Sequence, residues 1–329
     1  MGAAGNVSVI MTCHNEAAFI EQAIRSVTAQ TAYGRVSEII VVNDGSSDQS
    51  QSILEGLADE IGKLKILRAS GIGPSAARNM ALAEASGAFI AVLDGDDIWA
   101  PRKLELQLPR LESDDRIGLV YSDFYDFSDA GVSDAKLFQV RRYMASDPNL
   151  LERFFVRGGP VIPSSTVYRR EVFEKAGLFN TELRLAEDSD MVLRIAQDWS
   201  IQYVPGGLVY KRRHGRNASR DMTGWEAAAE RVAGLAVARV PRLAGLQARR
   251  KSYRHSKIAS AYLSEGLNLE GWRYLLGALR LDPFNRRAYA IAVLALFPSG
   301  LRKGVSRWVK RVQAMAARRG EPKVDEKRV

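Results

Sequence analysis

Short apolar runs alternate with amphipathic stretches along the first third of the chain. The runs are four to six residues long and rich in Val, Ile and Leu, which is typical of buried strands. They predict strands at 7–12, 38–42, 65–68 and 88–93, and helical spacing of apolar residues predicts helices at 14–30, 49–61 and 75–85. Strands that alternate with helices favour an α/β fold, with a mostly parallel, Rossmann-like sheet flanked by helices.

After residue 150 this alternation becomes weaker. Proline and small polar residues mark a loop at 160–166, and helices are predicted at 172–176 and 188–198. From residue 225 onward the sequence has helical periodicity and is rich in Ala, Leu and Arg. We therefore predict an α/β domain over residues 1–222 and a basic α-helical C-terminal extension over residues 223–329.

The chain of 329 residues contains one cysteine, Cys13. A disulfide framework and a cysteine-based zinc site are therefore excluded, and a reducing compartment is the simplest interpretation. The N-terminus lacks the basic and long apolar regions of a signal peptide. The longest apolar run near the C-terminus, 288–297, is about half the roughly 20 residues that a membrane-spanning helix needs. We expect a cytoplasmic protein.

The net charge of +9 is unevenly distributed. Residues 240–329 contain 20 basic and six acidic residues, which gives +14, whereas the first 239 residues carry −5. A basic tail favours an anionic partner, such as the inner face of a membrane, where the protein would be peripheral. The alternatives are a solvated helical surface, and pairing of the tail with acidic residues of the body or of a second subunit in a homo-oligomer. Nucleic acid is not an expected partner, because no recognised module is present.

An acidic cluster follows the fourth predicted strand. Asp94, Asp96 and Asp97 lie within four residues, where their charges repel one another. A hard divalent cation makes such a cluster tolerable and can bridge the two phosphates of a nucleoside diphosphate. Gly95 permits a ligand to approach the backbone closely. The alternative is an acidic turn in which Asp97 caps a helix at 99–108.

Polar residues also follow the first two predicted strands. They are Thr12, His14, Asn15 and Glu16 after the first strand, and Asp44 after the second. Because parallel strands end at one edge of the sheet, these residues are expected to frame a nucleotide pocket, in which Asp44 contacts a base or ribose. The alternatives are a surface or capping role for His14 and a plain turn with a helix cap at 45–48.

Two further segments carry cations. Arg78 lies in the first turns of the predicted helix at 75–85, where its guanidinium is suited to a phosphate or a base carbonyl. In the segment 212–217, which begins with Arg212 and Arg213, the cations and the imidazole of His214 are suited to neutralise a diphosphate leaving group, or His214 is suited to complete a metal shell. The alternatives are a surface arginine and a basic surface loop.

Asp188 begins the predicted helix at 188–198. A carboxylate at the start of a helix can serve as a general base. The alternative is that Asp188 and Asp190 cap the helix and interact favourably with its dipole.

Together these segments resemble those of family 2 glycosyltransferases. Five motifs occur in the expected order over residues 5–220: VSVIMTCHNE, EIIVVNDGSSD, GPSAARN, AVLDGDD and GLFNTELRLAEDSDMVLRIA. The resemblance implies a GT-A fold, a nucleotide-sugar donor that we expect to be a UDP-sugar, Mn²⁺ or Mg²⁺, and inversion at the anomeric carbon. The expected process is the synthesis of a cell-envelope polysaccharide or a glycolipid.

The resemblance also implies roles for individual residues. Asp44 would contact the base, Arg78 the base or phosphate, Asp94 the ribose region, Asp96 the metal through an Asp-x-Asp motif, and Asp188 would be the catalytic base. The remaining expected ligands are Thr12, Asn15, Glu16 and Arg213 for the donor and His214 for the metal. The Gln-x-x-Arg-Trp motif of processive synthases is missing, so we expect the addition of one sugar, or a few.

Two other functions remain as alternatives. A nucleotidyltransferase of nucleotide-sugar synthesis would have a Gly-rich, Lys-containing phosphate loop after the first strand, whereas this chain has Thr-Cys-His-Asn-Glu at 12–16. A non-catalytic sugar-binding module would not need both Asp96 and Asp188. The sequence therefore favours a glycosyltransferase that acts on a glycan or a lipid-linked acceptor.

Overall fold

The computed structural model describes residues 6–128, 134–138, 140, 149–158, 161–215 and 222–296. The chain forms two compact units, of which the first ends at Pro241 and the second begins at Arg242. The helix Met222–Arg239, which we expected in the C-terminal extension, belongs to the first unit.

The first unit contains nine strands and eight α-helices within the described residues. The strands are β1 Val7–Cys13, β2 Val36–Asp44, β3 Leu64–Ala69, β4 Phe89–Asp94, β5 Ile98–Trp99, β6 Ile117–Ser128, β7 Lys136–Phe138, β8 Val167–Arg169 and β9 Ser200–Arg213. The helices are α1 Ile20–Thr28, α2 Ser50–Glu60, α3 Pro74–Glu84, α4 Lys103–Glu112, α5 Leu150–Arg157, α6 Glu171–Lys175, α7 Glu187–Asp198 and α8 Met222–Arg239.

The strands form one mixed sheet in the order β3-β2-β1-β4-β8-β6-β9-β5, and β7 pairs with β6. The first four strands are parallel, as are β6 and β9, whereas β8 is antiparallel to both of its neighbours. β1, β2 and β4 are almost wholly buried, which explains why their sequences are nearly continuous apolar runs. The predicted α/β fold with helices flanking the sheet and a C-terminal helical region is confirmed.

The second half of the sheet was not visible in the sequence pattern. β6 and β9 are the two long strands, and their register shifts where Pro205 and Gly206, and then Leu208, have no partner in β6. Such an interruption removes the strict alternation by which a strand is recognised. The predicted helix at 188–198 is present as α7, and the one at 172–176 is present as α6.

The described part of the second unit contains three helices, α9 Gln247–Ser264, α10 Asn268–Leu281 and α11 Arg286–Ala295. They share a small core of buried residues: Ala259, Leu263, Leu275, Ala278, Ala288, Ile291 and Ala295. Gly271 permits the close approach of α10 to α9, because a Cβ atom there would lie 2.5 Å from Leu263 Cγ. Asn285 caps α11 by accepting the amide of Ala288 at 3.1 Å.

Among the residues that the structure describes, no helix is long and apolar enough to cross a bilayer.

Candidate functional site

The carboxyl ends of β1, β2 and β4 bring three of the predicted motifs to one edge of the sheet. Thr12 of β1 lies beside Asp94 of β4, and Cys13 lies beside Asn43 of β2. A hydrogen bond of 3.2 Å from the amide of Gly95 to the carbonyl oxygen of Thr12 extends the pairing past the end of β4. The motifs converge because parallel neighbouring strands end at the same edge.

Side-chain hydrogen bonds join the loops that follow β1 and β2. Asn15 Oδ1 accepts the amide of Ser47 at 2.8 Å, and the Asn15 amide donates to Ser46 Oγ at 2.9 Å. Asn15 has a φ of 58°, a left-handed conformation that Asn adopts more readily than most residues. The Glu16 amide donates to Ser50 Oγ at 2.9 Å. Asn15 therefore orders this part of the site, and its contact with a donor stays a prediction.

The carboxylate of Asp44 holds the loop that follows β3. Its Oδ1 accepts the amides of Gly71 and Ile72 at 2.8 and 2.7 Å, and its Oδ2 accepts the amide of Gly73 at 2.7 Å. His14 donates from Nδ1 to the Asp44 carbonyl oxygen at 2.6 Å. A carboxylate has about four lone-pair sites, so three amides leave room for one further donor. This arrangement fits the predicted contact of Asp44 with a base or ribose, which stays a prediction.

Gly95 is a point of close packing at this edge. A Cβ atom on residue 95 would lie 1.9 Å from Glu16 Oε2 and 2.8 Å from the Thr12 carbonyl oxygen. The carboxylate of Glu16 thus lies against the backbone between Asp94 and Asp96. The sequence predicted close approach of a ligand at Gly95, and in this structure the approaching group is a side chain of the protein itself.

Arg78 links the acidic cluster to the start of α7. Its buried guanidinium donates to Asp94 Oδ1 at 2.8 Å and to Glu187 Oε1 at 2.6 Å. Removal of one partner from a buried ion pair leaves an uncompensated charge and is costly. The resemblance assigned Arg78 to the base or phosphate of a donor, whereas here it bridges two carboxylates. Glu187 was not among the predicted site residues.

Asp96 and His214 form a second polar pair. His214 donates from Nε2 to Asp96 Oδ2 at 2.9 Å, and the ring of Phe19 stacks on the imidazole at a centroid distance of 5.0 Å. Burial raises the pKa of Asp96 above its usual value, and the negative charge of Asp94 raises it further. A cation next to Asp96 would therefore stabilise the charged form of its carboxylate.

The donor atoms of this pair fit the metal that the resemblance implies. Two adjacent ligands on an octahedral ion with bonds of about 2.1 Å lie about 3 Å apart, and the separation of Asp96 Oδ2 and His214 Nε2 is 2.9 Å. An ion held by both atoms would take the place of the Nε2 proton that His214 now donates to Asp96. Among the described residues, no group of three or more His, Cys, Asp or Glu side chains is arranged to hold a metal ion. An ion held by two protein ligands would take its other ligands from phosphate and water, as Mg²⁺ commonly does.

Asp97, the last residue of the acidic cluster, has a structural role. Its buried carboxylate accepts Ser164 Oγ at 2.6 Å and the amide of Arg212 at 3.0 Å. Burial raises the pKa of Asp97 well above its usual value. The alternative in which Asp97 caps a helix is wrong, because Ile98–Trp99 form β5 and α4 begins only at Lys103.

Asp188 lies in the first turn of α7, directly after Glu187. The preceding residue, Ala186, has a φ of 62°, and strain of this kind in a residue other than glycine clusters at functional sites. Asp188 Oδ1 accepts the amide of Ser189 at 2.6 Å. Burial raises the pKa of Asp188 to about 7, and the charge of Glu187 adds to the rise. A carboxylate with this pKa is suited to accept a proton near neutral pH.

Strand β9 contributes cations that the sequence identified only in part. The buried Arg212 donates from Nε to the Asp96 carbonyl oxygen at 3.1 Å. Arg213, which was predicted to bind the donor, is exposed and pairs with Asp126 at 2.7 Å. Because side chains alternate along a strand, Arg212 and His214 share one face and Arg213 lies on the other. His214 is thus the predicted residue of this segment that reaches Asp96.

Lys211 also acts on the site, although no sequence motif pointed to it. Its positive charge lowers the pKa values of both Asp97 and Asp188, and so opposes the larger effect of burial. Arg78 acts on Asp188 in the same direction. Asp188 and the acidic cluster are therefore close enough to share the same cations.

Comparison with protein families gives one match over this part of the chain. The family model described as Glycosyl transferase family 2 matches residues 8–177, which is just over half of the chain. The match includes the loops after β1, β2 and β4, and it ends before Asp188 and His214.

Curated relatives match over a similar region. The chain is similar to an uncharacterised glycosyltransferase of Nostoc sp. (30% identity, 64% of this chain and 66% of the relative). It is also similar to the succinoglycan biosynthesis protein ExoU of Rhizobium meliloti (31% identity, 57% and 56%) and to the uncharacterised glycosyltransferase EpsJ of Bacillus subtilis (31% identity, 56% and 54%). The chain thus spans 54–66% of the length of these relatives.

Solved structures with a similar fold include S. aureus TarS 1-349. Its crystal structure aligns with a TM-score of 0.59 at 18% identity, covering 90% of this chain and 85% of that one. The structure of the same protein in complex with UDP-GlcNAc aligns with a TM-score of 0.60 at 19% identity and the same coverage. At this level of identity the likeness concerns the fold alone.

Proposed function

Because the chain belongs to glycosyltransferase family 2, we propose that it transfers a sugar from a nucleoside-diphosphate sugar to an acceptor hydroxyl, with inversion at the anomeric carbon. We propose UDP as the nucleotide. Two TarS structures that share the fold contain UDP and UDP-GlcNAc. Asp44, with one lone-pair site left beside the loop at 71–73, supplies an acceptor for a base or ribose.

The observation that carries this proposal is the position of Asp188. Its pKa is raised to about 7, and Arg78 connects the neighbouring Glu187 to Asp94 of the acidic cluster. A residue suited to take a proton therefore lies near the residues suited to hold a diphosphate. A sugar transferase that works by direct displacement needs this combination, because the attacking hydroxyl must lose a proton while the diphosphate leaves.

The reaction is a single displacement. Asp188 accepts the proton of the acceptor hydroxyl, whose oxygen forms a bond to the anomeric carbon. The bond from that carbon to the diphosphate oxygen breaks, and the diphosphate takes the electron pair. Attack on the face opposite the leaving group inverts the configuration. General base catalysis of this kind contributes about 100- to 10,000-fold in rate.

Asp96 and His214 would hold Mn²⁺ or Mg²⁺. When bound, such an ion offsets the negative charge that develops on the diphosphate. The protein itself contributes the support of this pair, since Arg212 donates to the Asp96 carbonyl oxygen and Phe19 stacks on His214. These contacts hold the backbone of Asp96 and the ring of His214 in place.

We further propose that the acceptor is a glycan or lipid-linked sugar of a cell-envelope or secreted polysaccharide. One similar protein is named for succinoglycan biosynthesis. This proposal concerns the activity of the whole protein. The cytoplasmic location of the protein stays a prediction.

A screen of nucleotide sugars tests the proposed function. We expect a UDP-sugar to be hydrolysed slowly in the presence of Mn²⁺, which is measured as released UDP, and hydrolysis or transfer to rise when a suitable acceptor is added. Asp188→Asn should keep UDP affinity and lose at least about 100-fold in turnover. Asp198→Asn, at the exposed end of the same helix, is the matched control and should retain activity.

Two outcomes would reject the assignment. Full turnover by Asp188→Asn would exclude Asp188 as the base. UDP binding without release of nucleotide from any sugar donor or in the presence of any acceptor would instead support a non-catalytic sugar-binding module.

A further inference from the structure

The second unit exposes large apolar side chains in two helical stripes. On α10, Leu269 and Leu276 are 81% and 52% exposed, on the side of the helix away from the buried core. On α11, Tyr289, Val293 and Leu296 are 50%, 58% and 76% exposed. The residues within each stripe are three, four or seven positions apart, so each stripe runs along one face of its helix.

The connection between these helices adds the most exposed residue of the group. Phe284 lies between α10 and α11 and is 88% exposed. Single exposed apolar residues are common on protein surfaces, whereas a group of six within 28 residues indicates a surface that is used.

Exposed arginines lie beside the apolar residues in both stripes. Arg273 and Arg280 are exposed and continue the three- and four-residue spacing of Leu269 and Leu276, and Arg286 is exposed at the start of α11. Residues 242–296 contain ten Arg or Lys and three Asp or Glu, a net charge of +7. Each stripe therefore combines exposed apolar side chains with exposed arginine, in a unit whose described residues carry a net positive charge.

The combination of apolar and cationic side chains restricts which kind of partner can cover this surface. The centre of a protein–protein interface is depleted of charged residues, because each buried charge must be paired. A second copy of the same surface would bring the arginines of one stripe towards those of the other. The three acidic residues of residues 242–296 are too few to neutralise them, and one of these, Asp282, already lies 4.0 Å from Arg249. A second copy is thus a poor occupant.

The boundary between lipid headgroups and acyl chains supplies both kinds of partner. Apolar side chains insert towards the acyl chains, while guanidinium groups reach the phosphates above them. Each cation near an anionic leaflet contributes roughly a fivefold increase in binding, and the effect declines as salt screens the charges.

We propose that the exposed stripes of α10 and α11, together with Phe284, dock the protein onto an anionic bilayer surface. The expectation from sequence rested on the net charge of residues 240–329, whereas this proposal names the residues that insert. It does not depend on glycosyl transfer, and its experiment can fail or succeed independently of the donor screen.

Vesicle sedimentation of the full-length protein tests the proposal. Vesicles of phosphatidylcholine alone are compared with vesicles that also contain phosphatidylglycerol, at low and high salt. We expect the protein to sediment with the anionic vesicles at low salt, to be largely released at high salt, and to remain in the supernatant with neutral vesicles.

Three variants separate insertion from charge. Leu269→Ser with Phe284→Ser should weaken binding to anionic vesicles by about tenfold or more, because two inserted side chains are lost. Arg273→Gln with Arg280→Gln should weaken it by roughly 25-fold at low salt and much less at high salt. Leu178→Ser, which changes a residue 52% exposed in the first unit, is the matched control and should bind as the parent does.

Each variant is also checked for thermal stability, self-association and UDP-sugar hydrolysis, which should be unchanged. The proposal is overturned if the parent protein stays in the supernatant with anionic vesicles at low salt. It is also overturned if the Leu269→Ser, Phe284→Ser double variant binds as well as the parent, because charge alone would then account for the binding. A serine variant that loses thermal stability or self-association would show that the stripes are covered by protein.

Discussion

Two neighbouring acids at the start of α7 have different tasks in the proposed site. Glu187 accepts a hydrogen bond from Arg78, and its negative charge helps to raise the pKa of Asp188 to about 7. Activity of the parent protein should therefore rise with pH through about 7, as Asp188 loses its proton. Glu187→Gln keeps an oxygen for Arg78 but removes the charge, so the pKa of Asp188 should fall and the acidic limb should move to lower pH.

The measurement is the pH dependence of kcat/KM for both proteins. Glu182→Gln, a change at an exposed residue that pairs with Arg231, is the matched control and should leave the profile in place. If the acidic limb of Glu187→Gln stays where it is or moves to higher pH, Glu187 does not act on the base in this way.

Asp96 should determine the metal dependence of nucleotide binding. It contributes a carboxylate 2.9 Å from His214 Nε2, and burial raises its pKa. We expect the parent to bind UDP more tightly with Mn²⁺ than without, and Asp96→Ala to abolish that difference. Calorimetric titration of UDP with and without Mn²⁺ measures it, with Asp59→Ala, at an exposed position of α2, as a surface control. Equal affinity of the parent under both conditions would exclude the proposed metal pair.

The sequence predicted residues of this site when the signal was local. The loops after β1, β2 and β4 each carry their polar residues in one short segment, and the sheet brings them together. Arg78 with Glu187 could not be found in this way, because the partners are 109 residues apart and pair only after folding. Within the segment 212–217 the sequence singled out Arg213 and not Arg212 as the residue that binds the donor, because the orientation of the two side chains follows from the strand β9, which the sequence pattern did not reveal.

At the scale of the elements, the loop after β4 packs closely around the glycine at position 95. A methyl group there would overlap Glu16 Oε2 at 1.9 Å and the Thr12 carbonyl oxygen at 2.8 Å. Gly95→Ala should cost about 1–3 kcal/mol of unfolding free energy, as overpacking does, and should also weaken UDP binding because Asp94 and Asp96 flank the site. Urea unfolding and UDP titration measure the two effects.

Gly56→Ala is the matched control, because nothing lies within 4 Å of a Cβ atom at that position in α2. It should stabilise the protein by up to about 1 kcal/mol, since Ala is the better helix former. If Gly95→Ala is as stable and as active as the parent, Glu16 can move aside at no cost and the tight packing has no role.

The elements that the sequence predicted best are those with the most uniform surroundings. β1, β2 and β4 are covered on both faces, so burial imposes an apolar residue at nearly every position. In β6 and β9, by contrast, the last residues of β6 and several residues of β9 are partly exposed, and the register of the pair shifts between Val204 and Val209. The alternation of apolar and polar residues is lost in such strands, and their pairing depends on residues that are distant in sequence.

At the scale of the whole molecule, charge and structure divide the chain in related ways. The basic excess begins near residue 240, and the second compact unit begins at Arg242. The predicted boundary near residue 222 followed the onset of helical periodicity, which here coincides with α8 of the first unit. Periodicity identifies a helix, but it does not show which core the helix packs against. The division of the chain into a catalytic domain and an extension with a separate function stays a prediction.

The two units should respond differently to the donor nucleotide. The proposed UDP site lies in the first unit, whereas the second unit has its own buried core around Leu275, Ala278 and Ala288. A ligand stabilises only the unit that binds it, by about 2.7 kcal/mol when its concentration is 100 times Kd. In calorimetry we therefore expect two transitions, and UDP with Mn²⁺ should raise the midpoint temperature of one of them.

Asn285→Ala removes the cap of α11 and its hydrogen bond to Ser252. It should destabilise the second unit by about 1 kcal/mol and so lower the midpoint temperature of the other transition. A single transition that responds to both the nucleotide and the substitution would show instead that the chain unfolds as one cooperative body.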